Sequence, residues 1–243
     1  MKTKILTLLL ITGLTLFNSC DTSEEEVTLL PIDNLTEVWN LKHVLGGFSD
    51  TDLDYNLGDV IWIFDIAENT LNVYNSIIST GPEDIHAGLE TGVYDFVIKQ
   101  EGDDEVLYVD DRNFGVIVVS SDGTLTIDDG LASDGFISTF KRSETLNGSF
   151  SGWFKRGEVR ADVTLNLNNN TFTGSSVQEK FPAICKGVYS VSETNIYFID
   201  ECIWTADFDW TLILSGSWDY DLTPNNKLNM MKPNGDQYVL TKN

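Results

Sequence analysis

Asp207 and Asp209 lie between Trp204 and Trp210 in the run Trp204-Thr205-Ala206-Asp207-Phe208-Asp209-Trp210. Paired carboxylates among aromatic rings suit sugar binding and glycoside hydrolysis, which needs two carboxyl groups about 5–9 Å apart. As residues i and i+2 of a β-strand they would share a face, with Cα atoms about 6–7 Å apart. Any two alternate acids in a strand meet that condition. Packing aromatics with an outward-facing acid pair is therefore the plainer reading. Trp204, Trp210 and Trp218, with Tyr197 and Tyr220, form a candidate stacking platform for a glycan. Half-buried aromatics on a sheet face explain them equally well. A second cluster, Asp50, Asp52 and Asp54, continued by Asn56 and Asp59, has the alternate spacing of a calcium loop. That loop needs Gly at its sixth position and Glu at its twelfth, and Tyr55 and Ile61 stand there instead. It is a weak calcium candidate, and an acidic solvent loop is the default. With only His43 and His86 in the chain, a His-based triad or zinc site has too few parts. Ser215-Gly216-Ser217 lacks a neighbouring base, and no Gly-rich phosphate loop occurs. No cofactor is expected, and the absence of catalytic machinery argues against an enzyme.

Three cysteines remain to be placed. Cys20 closes an N-terminal segment with Lys2 and Lys4 at its start, an uncharged run from Ile5 to Phe17, and Asn18-Ser19 before the cysteine. Those are the three regions of a secretory signal, and the apolar run is shorter than the roughly 20 residues of a spanning helix. Residues 1–20 thus read as a lipoprotein signal peptide with Cys20 as its lipid attachment point. Multiple acyl chains there, at about 0.8 kcal/mol per buried CH₂, give stable anchoring. Asp21-Thr22-Ser23-Glu24-Glu25-Glu26 follows and should stay solvated; residues 21–33 form an acidic tether. In this order of parts the chain resembles lipoproteins of the Bacteroidetes group. There an acidic patch after the cysteine directs export to the outer leaflet. The resemblance implies a lipid-anchored outer-membrane protein exposed at the cell surface. In such a compartment disulfides persist, and Cys185 with Cys202 is the expected pair. The two bracket the strand-like runs Gly187–Val191 and Asn195–Ile199.

Removing Lys2 and Lys4 leaves 13 basic against 38 acidic residues, a net of −25. A body this acidic repels nucleic acid and anionic headgroups, so no nucleic-acid partner is expected and the membrane contact runs through the lipid. Residues 34–143 carry 21 acids and 5 bases, residues 144–243 carry 12 and 8. The field that would draw a cation or a basic partner is therefore stronger over the first half.

Short runs rich in β-branched and aromatic residues dominate the body. They include Val60–Phe64, Thr70–Tyr74, Gly92–Ile98, Val106–Val109, Gly115–Val119, Thr124–Ile127 and Ile137–Phe140, parted by turn residues such as Ser121-Asp122-Gly123. No long window keeps a helical period, and Gly81–Ala87 is the best candidate for one turn of helix. The second half repeats the first. Phe64-Asp65-Ile66 with Asn69-Thr70-Leu71 matches Leu165-Asn166-Leu167 with Asn170-Thr171-Phe172, Gly92-Val93-Tyr94 matches Gly187-Val188-Tyr189, and Phe136–Lys141 matches Gln237–Lys242. Two units follow, residues 34–143 and 144–243.

Each unit opens on a Leu followed by an aromatic residue, Leu35 with Trp39 and Leu146 with Phe150. The chain closes on Tyr238-Val239-Leu240-Thr241-Lys242. These features resemble the lipocalin-like domains of Bacteroidetes lipoproteins, which open on Leu-x-Gly-x-Trp-x-Leu. Glu37 replaces the Gly in the first unit, and Phe150 replaces the Trp in the second. The resemblance implies an all-β chain of two tandem small antiparallel β-barrels. About 100 residues per unit is short for a roomy cavity, so largely filled barrels are expected. The leading expectation is a surface-anchored, non-enzymatic protein that binds a small apolar or glycan ligand or an envelope protein. The alternatives are an accessory subunit of an outer-membrane complex and a carbohydrate-active module using Asp207 and Asp209.

Overall fold

The computed structural model describes residues 29–243 except 31, 49, 79, 131–133 and 206. Residues 1–28, with Cys20, the span expected as its signal peptide and the first part of the expected tether, lie outside the described residues. The first unit comprises β1 (Leu29–Leu30), β2 (Val38–Gly46), β3 (Thr51–Asp54), β4 (Val60–Asp65), β5 (Thr70–Asn75), α1 (Pro82–His86), β6 (Gly92–Glu101), β7 (Asp104–Val109), β8 (Arg112–Ser120), β9 (Thr124–Asp128) and β10 (Phe136–Arg142). The second comprises β11 (Gly148–Arg156), β12 (Val159–Asn168), β13 (Thr171–Ser176), β14 (Lys186–Val191), β15 (Asn195–Asp200), β16 (Gly216–Leu222), β17 (Lys227–Met231) and β18 (Gln237–Lys242).

Each unit is a closed, antiparallel, eight-stranded barrel. In the first, β2 and β4 to β10 pair in chain order and β10 returns to β2. In the second, β11 to β18 pair in order and β18 returns to β11. The strand alternation behind this is plainest in β12, where Ala161, Val163, Leu165 and Leu167 are buried and Asp162, Thr164, Asn166 and Asn168 are exposed. That period of two places one face inside a barrel. Asp110 and Asp111 join β7 to β8, and Asn169 and Asn170 join β12 to β13, all four with positive φ. Asp and Asn tolerate that backbone, and two such residues in a row make the tight turn whose twist suits a hairpin. The short helix falls at α1, within the loop where the sequence places it.

Strand by strand, β4–β5 correspond to β12–β13, β6 to β14 and β10 to β18, the order of the internal matches in the sequence. The end of the span expected as tether takes regular structure. Leu29 and Leu30 pair with Ser120 and Val119 of β8, and Ile32–Leu35 makes a 3₁₀ turn. The end of β8 runs on past its pairing with β7, and the leucines cover an edge that would otherwise be open.

The barrels are filled. Trp39, Trp62, Phe64, Phe96 and Phe140 occupy the first; Phe150, Phe154, Phe172, Tyr189, Phe198, Trp218 and Tyr238 occupy the second. Trp39 and Phe150, one strand position apart in role, are each 1% exposed. Contact between the barrels is made by residues that point away from both cores. Asn40 on β2 faces Ile61 on β4 in the strand register, and both are buried although they flank inward residues. Ser190 on β14, equally buried, accepts a hydrogen bond from Asn40 Nδ2 at 2.6 Å. Ser143, in the linker, accepts at its Oγ from Val191 N at 2.9 Å and Asn170 Nδ2 at 2.7 Å. Its own N–H donates to Val38 O at 2.7 Å, and Glu144 N donates to Val191 O at 2.9 Å. The linker is thus stitched to both barrels.

Candidate functional site

The junction of the barrels leaves open grooves around its rim. Two of them, of about 680 and 620 Å³, are lined largely by polar and charged side chains such as Lys42, Glu37, Glu144 and Glu193 in one and Glu37, Asn72 and Glu201 in the other. The third, of about 560 Å³, is aromatic. Tyr74, Asn75, Ser76 and Thr91 line it from the first barrel and Tyr197, Asp200, Trp204 and Trp210 from the second. Outward positions supply the two tyrosines. Tyr74 alternates with the buried Leu71 and Val73 on β5, and Tyr197 lies between the buried Ile196 and Phe198 on β15. Tyr197 also rests on the loop before β4. A Cβ on Gly58 would come within 2.2 Å of its ring, and Gly58 has φ +88°. Only glycine allows this approach and this backbone together.

The two tryptophans come from the loop over residues 201–215, which is held at several points. Cys202 is bonded to Cys185, with Cα atoms 6.3 Å apart. The bridge closes the open end of the β14–β15 hairpin. Trp204 Nε1 donates to Asp200 Oδ2 at 2.6 Å. Ala183 N donates to Leu212 O at 3.0 Å, and Leu214 N donates to Ala183 O at 2.9 Å. Asp209 caps a 3₁₀ turn over Trp210–Leu212 by accepting from Thr211 N. Arg156 then locks the turn. Its Nη1 donates to Asp209 Oδ2 at 2.9 Å and Thr211 Oγ1 at 2.8 Å, and its Nη2 to Thr211 O at 2.9 Å. Its Nε donates to Asp236 Oδ1 at 2.7 Å, and Nη2 also meets Asp236 Oδ2. Trp210 stacks on Phe208, centroids 5.8 Å apart and 19° between planes, and Phe208 meets Trp204 at 5.5 Å.

Asp200 is the charged group of the cleft. Burial raises its carboxyl above the ordinary value, partly offset by the Trp204 and Cys202 hydrogen bonds. Its Oδ2 takes those bonds, while its Oδ1 is buried with no partner. Glu201 accepts a 2.6 Å bond from Tyr74 OH across the barrel junction. Burial, then that bond, raises the tyrosine hydroxyl well above its ordinary value.

Several expected site residues lie elsewhere. Asp207 and Asp209 do not share a strand face, because their segment is a looped turn. Hydrogen bonds from Thr211, then Arg156, hold the Asp209 carboxyl below the ordinary range. A carboxyl so held cannot serve as the proton donor of a glycosidase. Trp218 is not on the platform: β16 turns it inward, where its Nε1 donates to Ser215 O at 3.2 Å and Lys232 Nζ lies 4.6 Å from its ring centre. Tyr220 packs against the same core. Asp50, Asp52 and Asp54 do not wrap a loop. Asp52 and Asp54 lie on β3 opposite β2, with His43 Nε2 3.5 Å from Asp52 and Nδ1 3.0 Å from Asp54; Asp50 occupies the turn before them. Among the described residues, no group of three or more His, Cys, Asp or Glu is placed to hold a metal.

A smaller cavity of about 280 Å³ opens at the mouth of the first barrel, under α1. Trp62, Phe114, Phe136, Phe140, Ile85 and His86 line it, and the buried Trp62 Nε1 has no hydrogen-bond partner. Compared with known proteins, the chain matches no family model, no curated protein and no solved structure.

Proposed function

We propose that the chain is a non-enzymatic binding protein that takes a small ligand in the aromatic cleft between its barrels, held on the outer membrane through a lipidated Cys20. One observation carries this reading: two separately closed barrels each contribute aromatic side chains to one cleft of about 560 Å³. That volume lies within the range of small-molecule sites, as does a lining of rings with a few polar groups. The barrel interiors are largely occupied by packed side chains, and the cleft between them offers twice the room of the cavity at the mouth of the first barrel. Binding rather than turnover fits the same residues, since Asp209 is committed to Arg156 and Thr211 and, among the described residues, the cleft presents one carboxylate, Asp200. The acidic run from Asp21 to Glu26 then acts as a spacer that holds the barrels off the bilayer.

The test is a thermal-shift screen of neutral sugars, amines and short amphiphiles against the full extracellular chain, repeated on Trp210→Ala and Tyr197→Ala. At least one compound should raise the melting temperature of the wild type and lose that effect in both variants. A panel without hits, or hits indifferent to both substitutions, overturns the reading. Metabolic labelling with an alkyne fatty acid tests the anchor: equal label on wild type and Cys20→Ala rejects it.

A second reading rests on the unpaired Trp62 indole N–H. An apolar molecule bearing a carbonyl or carboxylate would fill the mouth of the first barrel and accept that bond. A hit that survives Trp210→Ala and is lost in Ile85→Asp would favour this site instead.

A further inference from the structure

Resting on the cleft reading above, we infer that the cleft ligand is a small organic cation, a quaternary or primary ammonium compound, held over Asp200 among Tyr74, Tyr197, Trp204 and Trp210. Aromatic rings attract ammonium groups through their quadrupoles. All four rings line one cleft. Asp200 lines the same cleft, and its Oδ1 is buried without a partner. A carboxylate so placed lacks a counter-charge, consistent with burial raising its proton affinity. A bound cation would supply that charge. Glu201, which lines the neighbouring groove, accepts from Tyr74 OH and adds to the negative field there.

The neutral polar groups of the cleft argue against a sugar. Asn75 Nδ2 donates to Leu89 O at 3.1 Å and its Oδ1 accepts from Ile77 N at 3.0 Å. Ser76 Oγ donates to Gly58 O and Asp59 O, each at 3.1 Å. Thr91 Oγ1 donates to Asn75 O at 3.0 Å and accepts from Asn75 N at 2.9 Å. These side chains are committed to the backbone, whereas a sugar needs several groups free to meet its hydroxyls. Among the described residues, no Lys, Arg or His lines the cleft. Lys232, behind Gly216, is committed to Ser215 O at 2.8 Å and to the Trp218 ring. The surrounding field has the right sign, with a formal charge of −23 on the whole chain, and a potential of that sign concentrates cations at a cleft.

The experiment titrates the full extracellular chain with choline, with its uncharged isostere 3,3-dimethyl-1-butanol, and with glucose, followed by tryptophan fluorescence and calorimetry. Wild type, Asp200→Asn, Trp210→Ala and the exposed control Asp221→Asn are compared. Choline should bind the wild type at least tenfold tighter than the isostere. Asp200→Asn and Trp210→Ala should each weaken choline at least tenfold, and Asp221→Asn should leave it unchanged. Equal affinity for choline and its isostere overturns the inference. Glucose binding that is lost in Trp210→Ala, with no choline binding, overturns the cation while keeping the cleft as the site. Binding of none of the probes overturns the inference and counts against the cleft. Should Asp200→Asn unfold, the wild-type comparison of choline with its isostere decides.

Discussion

Arg156 ties three parts of the second barrel together: the end of β11, the β17–β18 hairpin through Asp236, and the turn that carries Trp210. Asp236 is 2% exposed, so removal of the guanidinium would leave a buried carboxylate without its hydrogen-bonded cation and with only the more distant Lys232 charge, an arrangement that costs about 3 kcal/mol. Arg156→Met should lower stability by about that amount in urea titration and also release Trp210 from the cleft rim. Ligand affinity and the near-ultraviolet signal of the tryptophans should fall together; an Arg156→Met protein as stable as wild type contradicts the role given to this side chain. The same pair sets an acid limit. Burial alone would raise the Asp236 carboxyl, but hydrogen bonds from Arg156 and Asn234 outweigh it and hold it below the ordinary value. A depressed carboxyl contributes stability above its unfolded value of about 3.9 and loses it as pH falls through the folded one. The melting temperature should therefore drop on acidification below about pH 4. Arg156→Met should show a shallower drop, because its Asp236 is no longer held down; identical slopes in the two proteins refute this assignment.

Strands were readable one at a time because burial alternates along them, as Val163 and Leu165 do against Asp162 and Thr164. The repeat was readable because both units place an aromatic four residues after a Leu, Trp39 after Leu35 and Phe150 after Leu146, and both pairs are buried. The segment 201–215 was not readable. Its aromatic and acidic residues mimic a strand, and what bends it into a turn is distant in sequence: Arg156 from β11, Ala183 and the Cys185–Cys202 bridge. Nor could one unit announce that Tyr74 and Thr91 of the other complete its cleft. An outward tyrosine in a strand reads alike whether it meets water or a second barrel. The bridge spans a sequence separation of 17, and closing a loop of that size contributes about 3 kcal/mol in the chain-entropy account. Because it joins the base of the 201–215 loop to the start of β14, Cys185→Ser with Cys202→Ser should lower the melting temperature and weaken ligand binding. A double variant that melts lower yet binds as tightly would show that the loop keeps its shape without the bridge.

At the scale of the whole molecule, two negatively charged barrels meet around a buried neutral contact. Ile61, Asn40 and Ser190 are buried between them, and residues 34–143 and 144–243 carry 21 acids against 5 bases and 12 against 8. Like charge opposes docking, while apolar burial and the Asn40–Ser190 bond favour it. Ser190→Arg would force a long charged side chain into a site with 0% exposure. Each barrel keeps its own closed ladder and its own core, so strand content should persist in circular dichroism while the variant melts in two transitions where the wild type melts in one. One unchanged transition would mean the barrels are not held at this contact. The cleft must fail with it, since its walls come from both barrels. Salt then separates the two roles of the charge. Between about 0.01 M and about 1 M the screening length shrinks from about 30 Å to about 3 Å, which removes both the repulsion between barrels and the attraction for a cation. Rising salt should therefore raise the melting temperature of the free protein while it weakens choline binding, two trends of opposite sign from one field. If melting temperature and affinity instead move in the same direction, the negative field is not what links the shape of this molecule to its ligand.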